Sequence, residues 1–274
     1  MKKRIAFIVV GVPLGLILFW LGGWIFGIVV GLIVALAGGE YVRLCRTCGY
    51  EPAYPLVIGG TGLLIVGRFW DGFESAPWIL TLLVFASMIY HLIAYELGRE
   101  RAAADFGITL GGILYFGWLG GYFISARMLP QGVWWFSLIC ITGWLVDVGA
   151  YLIGRHYGRH PFFPRLSPRK TMEGYFGGIA GGILGGMLIA FILQLIAIAS
   201  KAPGFPVQIG HGALIGLILG IFTPFGDVGE SMFKRMAKVK DSSKLIPGHG
   251  GVWDRTDSWL WAMAIGYYLV VWFF

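Results

Sequence analysis

The chain has 274 residues, of which 57% are hydrophobic and 13% are charged, and its formal net charge is +7 at pH 7. The charged share is about half that of an ordinary soluble domain, and the charges lie in clusters between long apolar runs, so a soluble fold is excluded. The apolar runs do not alternate, which excludes a transmembrane β-barrel, and the basic excess fits loops at an anionic lipid surface rather than a nucleic-acid partner.

The apolar runs predict an all-α polytopic integral membrane protein with nine transmembrane helices. Each crossing needs roughly 20 apolar residues, because backbone polar groups find no water in the hydrocarbon core. The predicted spans are residues 5–20, 24–42, 53–68, 76–97, 106–126, 132–153, 175–199, 207–226 and 257–273.

The start of the chain is open to more than one interpretation. Residues 5–38 form either one very long helix or a hairpin broken near Gly22 and Gly23. A signal peptide cleaved near Ala37 is disfavoured, because its apolar part would exceed the usual length of about 7 to 15 residues. Charge favours the hairpin: with a cytoplasmic N-terminus and an outside C-terminus, the cytoplasmic segments hold all of the 21 basic residues except Arg68, Arg127 and Lys201.

The chain divides into three predicted parts: N-terminal helices in residues 1–70, a middle hairpin in 71–130, and a C-terminal region in 131–274. The third part contains the two longest polar stretches, residues 154–174 and 227–256. Both are predicted to be cytoplasmic loops, and such loops are where catalytic residues are usually placed.

Glycine and cysteine patterns are interpreted as structural or incidental. The run GGIAGGILGG (Gly177–Gly186) repeats glycine every four residues, which predicts close packing of helices. A dinucleotide-binding motif would need a preceding strand and a following acidic residue, and both are missing. No disulfide framework or complete zinc site is formed by Cys45, Cys48 and Cys140.

Asp147 lies in WLVDVGAYLIGR, near the cytoplasmic end of its predicted helix. An ionised carboxylate is costly inside a membrane unless it meets a cation or water, so a functional role is favoured. A neutral Asp that bonds a neighbouring helix is the structural alternative. Tyr151, Gly154 and Arg155 are predicted to share its helix face.

The stretch SPRKTMEG (Ser167–Gly174) predicts the start of a helix beside basic residues. Thr171 can cap the helix and Glu173 lies in its first turn, near backbone N–H groups that have no helical partner. Arg169 and Lys170 would make this helix start suitable for a phosphate. Any basic juxtamembrane loop shares some of these properties.

A second group of polar residues lies on a predicted helix that leaves the membrane. FGDVGESMFKRMAKVKD places a carboxylate and several cations on one helix side, namely Asp227, Ser231, Lys234 or Arg235, and Lys238. The following PGHGGVWDRTDS contains Asp254 and Asp257, three residues apart where the last span begins. Glycines at 248, 250 and 251 allow positive φ or a close approach to a ligand.

Several carboxylates beside Lys and Arg at one membrane surface predict a site for a divalent cation and a polyphosphate. Mg²⁺ prefers one or two carboxylates together with phosphate oxygens, and the basic side chains balance the remaining charge. An ordinary juxtamembrane loop would explain the lysines, but it leaves Asp254, Asp257 and the glycines unexplained.

These motifs resemble those of the phosphatidate cytidylyltransferases, also called CDP-diacylglycerol synthases. The resemblance covers about the last 130 residues, and residues 1–130 match only as hydrophobic helices. The C-terminal signature is similar to Ser231, Lys234, Arg235, Lys240, Asp241, Pro247, Gly248, His249, Gly250, Gly251, Asp254, Arg255 and Asp257. The second block is similar to Asp147, Ser167, Pro168, Lys170, Thr171, Glu173 and Gly174.

The resemblance implies a Mg²⁺-dependent reaction of CTP with phosphatidic acid that yields CDP-diacylglycerol and pyrophosphate. It implies a multi-pass, homodimeric enzyme of the bacterial inner membrane, with its active site facing the cytoplasm. Asp227, Asp254 and Asp257 would bind Mg²⁺, and Asp147 would complete the metal site or bind a second cation such as K⁺. The residues expected to offset charge in the reaction are Lys170, Lys234 and Arg235.

Further residues are expected to bind substrate on the strength of the resemblance. For His249 a positioning or phosphate-binding role is preferred over general acid catalysis, because a phosphate nucleophile is already ionised near pH 7. The full predicted set is Ser167, Thr171, Ser231, Lys240, Asp241, His249, Gly250 and Arg255.

Two other functions remain open at this point. Another CTP-using lipid enzyme, such as a polyprenol kinase or a synthase for ether-linked lipids, would show similar residues. A transporter with a midplane polar site is disfavoured, because the carboxylates cluster near one surface and corresponding interrupted helices are not evident.

Overall fold

The computed structural model describes residues 19–246, 248 and 250–274. Most of the predicted first span, residues 5–20, therefore lies outside the described residues, as do Pro247 and His249. The chain forms two compact units. One consists of Met1–Ser125 with Phe233–Thr256, and the other consists of Ala126–Met232 with Asp257–Phe274.

The first unit is built from helices that follow one another closely. They are α1 (Gly23–Thr47), α2 (Tyr54–Asp71), α3 (Ala76–Glu96), α4 (Ala102–Gly112), a π-helical segment (Ile113–Trp118) and most of α5 (Leu119–Met128). Gly22 and Gly23 have φ of 61° and 58°, so α1 begins at the predicted break. An apolar core is formed by Leu64, Ile79, Leu83 and Ile113.

The second unit contains α6 (Gly132–Tyr157), a two-stranded antiparallel hairpin of β1 (Pro161–Phe163) and β2 (Ser167–Thr171), α7 (Met172–Ala199) and α8 (Ile209–Phe222). The helices α9 (Pro224–Met236) and α10 (Trp253–Phe273) have residues in both units.

Several glycines in the run of α7 bring the backbones of neighbouring helices into direct contact. A Cβ atom placed on Gly181 would lie 2.9 Å from the Cα atom of Gly149 on α6. A Cβ atom on Gly220 of α8 would lie 2.7 Å from the Cα atom of Ile179. The predicted role of this run in close helix packing is therefore confirmed.

Among the described residues, six helical stretches are long and apolar enough to cross a membrane. They are Gly23–Thr47, Ala76–Glu96, Ala102–Met128, Gly132–Tyr157, Met172–Ala199 and Ile209–Met236. An all-α polytopic membrane protein is thus confirmed, apart from the short hairpin. The predicted spans 53–68 and 257–273 are helical but are not among the six, and the count of nine spans and the orientation stay predictions.

Two local features differ from the sequence-based expectation. The span predicted as one regular helix over 106–126 contains the π-helical segment, in which Gly117 lies so close to α2 that a Cβ atom there would be 3.1 Å from the Cα atom of Thr61. The prediction that Lys238 shares a helix side with Asp227 is wrong. α9 ends at Met236, and Lys238 has φ of 56° in the turn that follows.

Candidate active site

Three carboxylates converge in the second unit. Asp227 and Glu230 lie about one turn apart on α9, and Asp257 lies near the start of α10. One oxygen from each residue lies within 4.8 Å of the other two, with Glu230 and Asp257 buried and Asp227 half-buried. Gly226 permits this approach, because a Cβ atom there would lie 2.6 Å from the carbonyl oxygen of Asp257. Carboxylate oxygens at this spacing suit a hard cation such as Mg²⁺.

Lys170 provides a positive charge beside these acids. Its Nζ atom lies 2.6 Å from Oδ2 of Asp227. The residue stands near the end of β2, directly before Thr171, whose hydroxyl caps α7 by accepting a hydrogen bond of 3.1 Å from the Gly174 N–H. The predicted cap is therefore confirmed, and it fixes the chain immediately after Lys170.

The β-hairpin is tied to the start of α7 by hydrogen bonds and by ring stacking. Glu173 in the first turn of α7 accepts hydrogen bonds from the backbone N–H groups of Arg159 (3.0 Å) and His160 (3.2 Å). The ring of Phe162 stacks on Tyr175, with centroids 4.7 Å apart and planes 18° apart. The predicted polar loop is thus an ordered hairpin that carries Lys170.

Asp147 of α6 lies near this acidic group but is not one of the three converging acids. It interacts electrostatically with Asp227, Lys170 and Asp257. Four acidic side chains and one lysine of the second unit therefore share one small region, which brings the two blocks of the sequence motif together.

The first unit contains a second charged pair from the signature. Nζ of Lys234 lies 2.6 Å from Oδ1 of Asp254, and the two side chains are only 9% and 7% exposed. Oδ2 of Asp254 accepts hydrogen bonds of 2.8 Å from the backbone N–H groups of Ser242 and Gly251. Burial by itself would raise the pKa of Asp254, but the bonds from Lys234, Gly251 and Ser242 outweigh burial and lower the pKa to about 2.

The signature glycines shape the turn that positions the N–H groups of Ser242 and Gly251. Ile246 and Gly250 close the turn through a backbone hydrogen bond of 2.9 Å, and Gly250 has φ of 84°. A Cβ atom on Gly250 would lie 2.7 Å from Oδ2 of Asp254, and one on Gly251 would overlap Ser242 and Glu40. Of the two predicted uses of these glycines, positive φ is confirmed at Gly248 and Gly250, whereas a close approach to a ligand stays a prediction.

A model of the cytidylyltransferase family matches residues 2–273 of the chain. The chain belongs to this family. The match includes the N-terminal helices, in which the sequence motifs alone identified no particular residue. Cytidylyltransferase-family membership therefore extends over both compact units.

Three bacterial relatives in the family carry the name phosphatidate cytidylyltransferase. The protein from Synechocystis sp. is 32% identical over 98% of this chain and 96% of its own length. The Bacillus subtilis protein is 34% identical over 71% of this chain and 66% of its own length. The Staphylococcus haemolyticus protein is 31% identical over 70% and 71%, respectively.

The remaining predicted site residues of this cytidylyltransferase-family chain lie in different surroundings. Ser231 is buried on α9, while Ser167 is half-buried on β2. Arg235 is exposed and donates a hydrogen bond of 3.2 Å to the Val239 carbonyl. Lys240, Asp241 and Arg255 are also exposed, and His249 lies outside the described residues.

Sequence reasoning missed two acidic residues, Glu40 and Glu230. Glu230 stands three residues after Asp227, within a motif that was otherwise used. Glu40 is a lone carboxylate in the apolar run VALAGGEYV, and the rule that intramembrane acids are functional by default could have identified it.

Proposed function

We propose that this cytidylyltransferase-family protein is a phosphatidate cytidylyltransferase, which transfers the cytidylyl group of CTP to phosphatidic acid. The products are CDP-diacylglycerol and pyrophosphate. The names of the three relatives support this substrate pair, and the apolar helices suit an enzyme whose acceptor is a membrane lipid. We place the reaction at the cytoplasmic face of a bacterial membrane, where the basic loops are predicted to lie.

The convergence of Asp227, Glu230 and Asp257 is the observation that carries the proposal. The oxygens of these residues match the ligand chemistry that Mg²⁺ prefers, and they leave coordination positions for phosphate oxygens. A divalent cation bound there would neutralise charge on the triphosphate of CTP. We further propose that Asp147 completes this site or binds a second cation such as K⁺.

The reaction needs alignment more than a protein nucleophile. A phosphate oxygen of phosphatidic acid attacks the α-phosphorus of CTP, and a new P–O bond forms. The bond from the α-phosphorus to the bridging oxygen breaks, and pyrophosphate leaves with the electron pair. The second pKa of a phosphate monoester is about 6, so the attacking group is already largely ionised near pH 7 and requires no general base.

The basic side chains are proposed to balance charge during the transfer. Lys170 stands beside Asp227, where it can approach phosphate oxygens of bound CTP. Lys234 and Arg235 are assigned the same role from the signature. The structure pairs Asp254 with Lys234, so we assign Asp254 to orienting that ammonium group, whereas its predicted role as a Mg²⁺ ligand stays a prediction.

The substrate-binding roles of the other signature residues and the homodimeric state also stay predictions. They rest on the family resemblance, and the proposal does not depend on them.

An isotope experiment tests the proposed function directly. The purified protein in detergent micelles would receive phosphatidic acid, Mg²⁺ and CTP labelled at either the α- or the γ-phosphate. We expect the α-label in CDP-diacylglycerol and the γ-label in pyrophosphate. A γ-label in the lipid would instead indicate a CTP-dependent kinase, and the absence of CDP-lipid would contradict the proposal.

A further inference from the structure

Glu40 is a buried carboxylate on α1 that accepts hydrogen bonds from a distant part of the same unit. Glu40 is only 3% exposed, and it lies seven residues before the helix ends at Thr47. A buried acidic side chain within an apolar helix is costly unless its oxygens are satisfied. Here they are satisfied by donors in residues 242–253, the signature segment, which follows about 200 residues later in sequence.

The four hydrogen bonds divide evenly between the two oxygens. Oε1 accepts from the hydroxyl of Ser243 (2.6 Å) and the N–H of Val252 (2.9 Å). Oε2 accepts from the hydroxyl of Ser242 (2.7 Å) and the N–H of Trp253 (2.8 Å). The two N–H groups stand at the start of α10 and have no partner within that helix, so Glu40 acts as an N-terminal cap supplied by another helix.

Ser242 connects Glu40 to the charged pair of the signature. Its hydroxyl oxygen lies 2.7 Å from Oε2 of Glu40 and 2.9 Å from Oδ2 of Asp254. Its backbone N–H also donates to Oδ2, and Oδ1 of Asp254 accepts from Lys234. A continuous set of contacts therefore leads from Glu40 to the ammonium group of Lys234.

Aromatic packing holds the same segments from the apolar side. Tyr41, the neighbour of Glu40, packs edge-on against Phe233 and Trp253, with ring centroids 5.2 and 5.7 Å away. Phe233 directly precedes Lys234, and Trp253 directly precedes Asp254. Phe116 of the π-helical segment packs against Trp253 at 5.2 Å. Small movements of the Lys234–Asp254 pair are thereby restricted on two sides.

We propose that Glu40 is a positioning residue for cytidylyl transfer. It holds Ser242, Ser243 and the start of α10 in the geometry in which Asp254 orients Lys234. The inference rests on the proposed function, because the benefit of orienting Lys234 lies in charge balance during that reaction.

Replacement of Glu40 by Gln tests the inference with little change of shape. A Gln amide presents two N–H donors where one carboxylate oxygen now accepts from an N–H group and a hydroxyl, so one half of the site becomes mismatched. We expect kcat to fall roughly 10- to 100-fold, with KM for CTP within about twofold of wild type. Glu40→Asp, which keeps both acceptor oxygens on a shorter side chain, should retain more of kcat.

Asp105→Asn is the matched control. Asp105 is another buried carboxylate of the first unit, and it accepts from the Glu51 N–H (2.8 Å) and from Arg99 (2.7 Å). Its loss should lower thermal stability, whereas kcat per folded molecule should match wild type. A fall of kcat equal to that of Glu40→Gln would overturn the specific role of Glu40.

Hydrogen exchange at the Val252 and Trp253 amides supplies a readout that does not depend on turnover. In Glu40→Gln these amides should exchange roughly tenfold faster, because their acceptor is weakened. Faster exchange with an unchanged kcat would reduce Glu40 to a structural cap and overturn its positioning role. Wild-type protein that makes no CDP-diacylglycerol would reject the proposed function itself, and the inference with it.

Discussion

Asp227, Glu230 and Asp257 hold three carboxylates within 4.8 Å of one another, two of them buried. Like charges at this distance repel each other, and burial strengthens the repulsion, so the cluster is unfavourable without a bound cation. Lys170 offsets part of this charge through Asp227. We therefore expect these three acids to contribute to activity while they lower the stability of the folded protein.

Neutralising Asp257 should therefore separate activity from stability. We expect Asp257→Asn to lower CTP turnover at least roughly 100-fold, because a cation ligand is lost. In metal-free buffer its melting temperature should equal or exceed that of wild type, because repulsion is relieved. Glu74→Gln, which neutralises an exposed carboxylate between α2 and α3, is the matched control and should leave turnover unchanged. Wild-type turnover in Asp257→Asn would contradict the assignment of the cluster.

Removal and addition of metal test the same cluster without an activity assay. Mg²⁺ at about ten times its dissociation constant should stabilise the wild-type protein by roughly 1.4 kcal/mol, because it binds only the folded state. The stabilisation should disappear with EDTA and be much smaller in Glu230→Gln. An equal Mg²⁺ effect in both proteins would place the bound cation elsewhere.

Asp254 gives a prediction for the pH dependence of stability. Its pKa is lowered from 3.8 to about 2 in the folded protein, so its contribution is present above about pH 4 and is lost as the pH falls through 2. The contribution amounts to roughly 2 kcal/mol at neutral pH. Asp254→Asn should be less stable than wild type at pH 7, and the difference in melting temperature should shrink towards pH 2. A constant difference across this range would contradict the prediction.

The sequence identified Asp227 and Asp257 of the acidic cluster and Asp254 of the buried pair, but not their partners. Asp227, Asp254 and Asp257 stood out because acids are rare in such an apolar chain. The pairing of Asp254 with Lys234 depends on how the turn around Gly250 closes, and no local spacing encodes that closure. Glu40 was missed because its donors lie about 200 residues away in sequence.

At the scale of single elements, the glycine contacts of α7 and α8 determine how closely the helices approach. A Cβ atom on Gly216 would overlap the carbonyl group of Gly182, whereas one on Gly210 of the same helix would meet nothing within 4 Å. Packing in a membrane relies on such close contact, because lipid provides no hydrophobic driving force between helices.

Gly216→Ala should destabilise the protein by about 1–3 kcal/mol or more through overpacking. Gly210→Ala should be neutral or slightly stabilising, because alanine favours the helix and has room. Thermal unfolding in detergent would measure both variants. Equal melting temperatures for the two would show that α7 and α8 can separate without cost.

Helix positions followed well from the apolar runs, and the break at Gly22 and the cap at Thr171 followed from local rules. Neither the π-helical segment Ile113–Trp118 nor the hairpin of β1 and β2 could be predicted from these patterns. Both arise from tertiary contacts: Gly117 packs against α2, and Phe162 stacks on Tyr175. Composition within the segments carries little information about either.

At the scale of the whole molecule, the predicted sidedness can be tested by cysteine labelling. Lys244 in the signature segment and Lys201 after α7 are both exposed, and charge predicts that they face opposite sides of the membrane. A membrane-impermeant maleimide should label Lys244→Cys only in inverted vesicles and Lys201→Cys only in intact spheroplasts. The unsubstituted chain, in which Cys45 is buried and Cys48 and Cys140 are half-buried, gives the background. Labelling of both from one side would overturn the topology.

The contact between Glu40 and the start of α10 also supports one part of that topology. It brings the C-terminal end of α1 close to the signature segment within the first unit. Both were predicted to lie on the same side of the membrane, because an even number of predicted spans separates them.

Glu40 is synthesised well before the residues that donate hydrogen bonds to it. A ribosome releases α1 into the bilayer long before it has synthesised Val252 and Trp253, so the nascent chain carries an acidic group whose final partners do not yet exist. A polypeptide that stops short of these residues lacks the donors that satisfy this carboxylate, so we expect it to be less stable than the full chain. The hydrogen bonds of Glu40 therefore form only after the start of α10 has been synthesised.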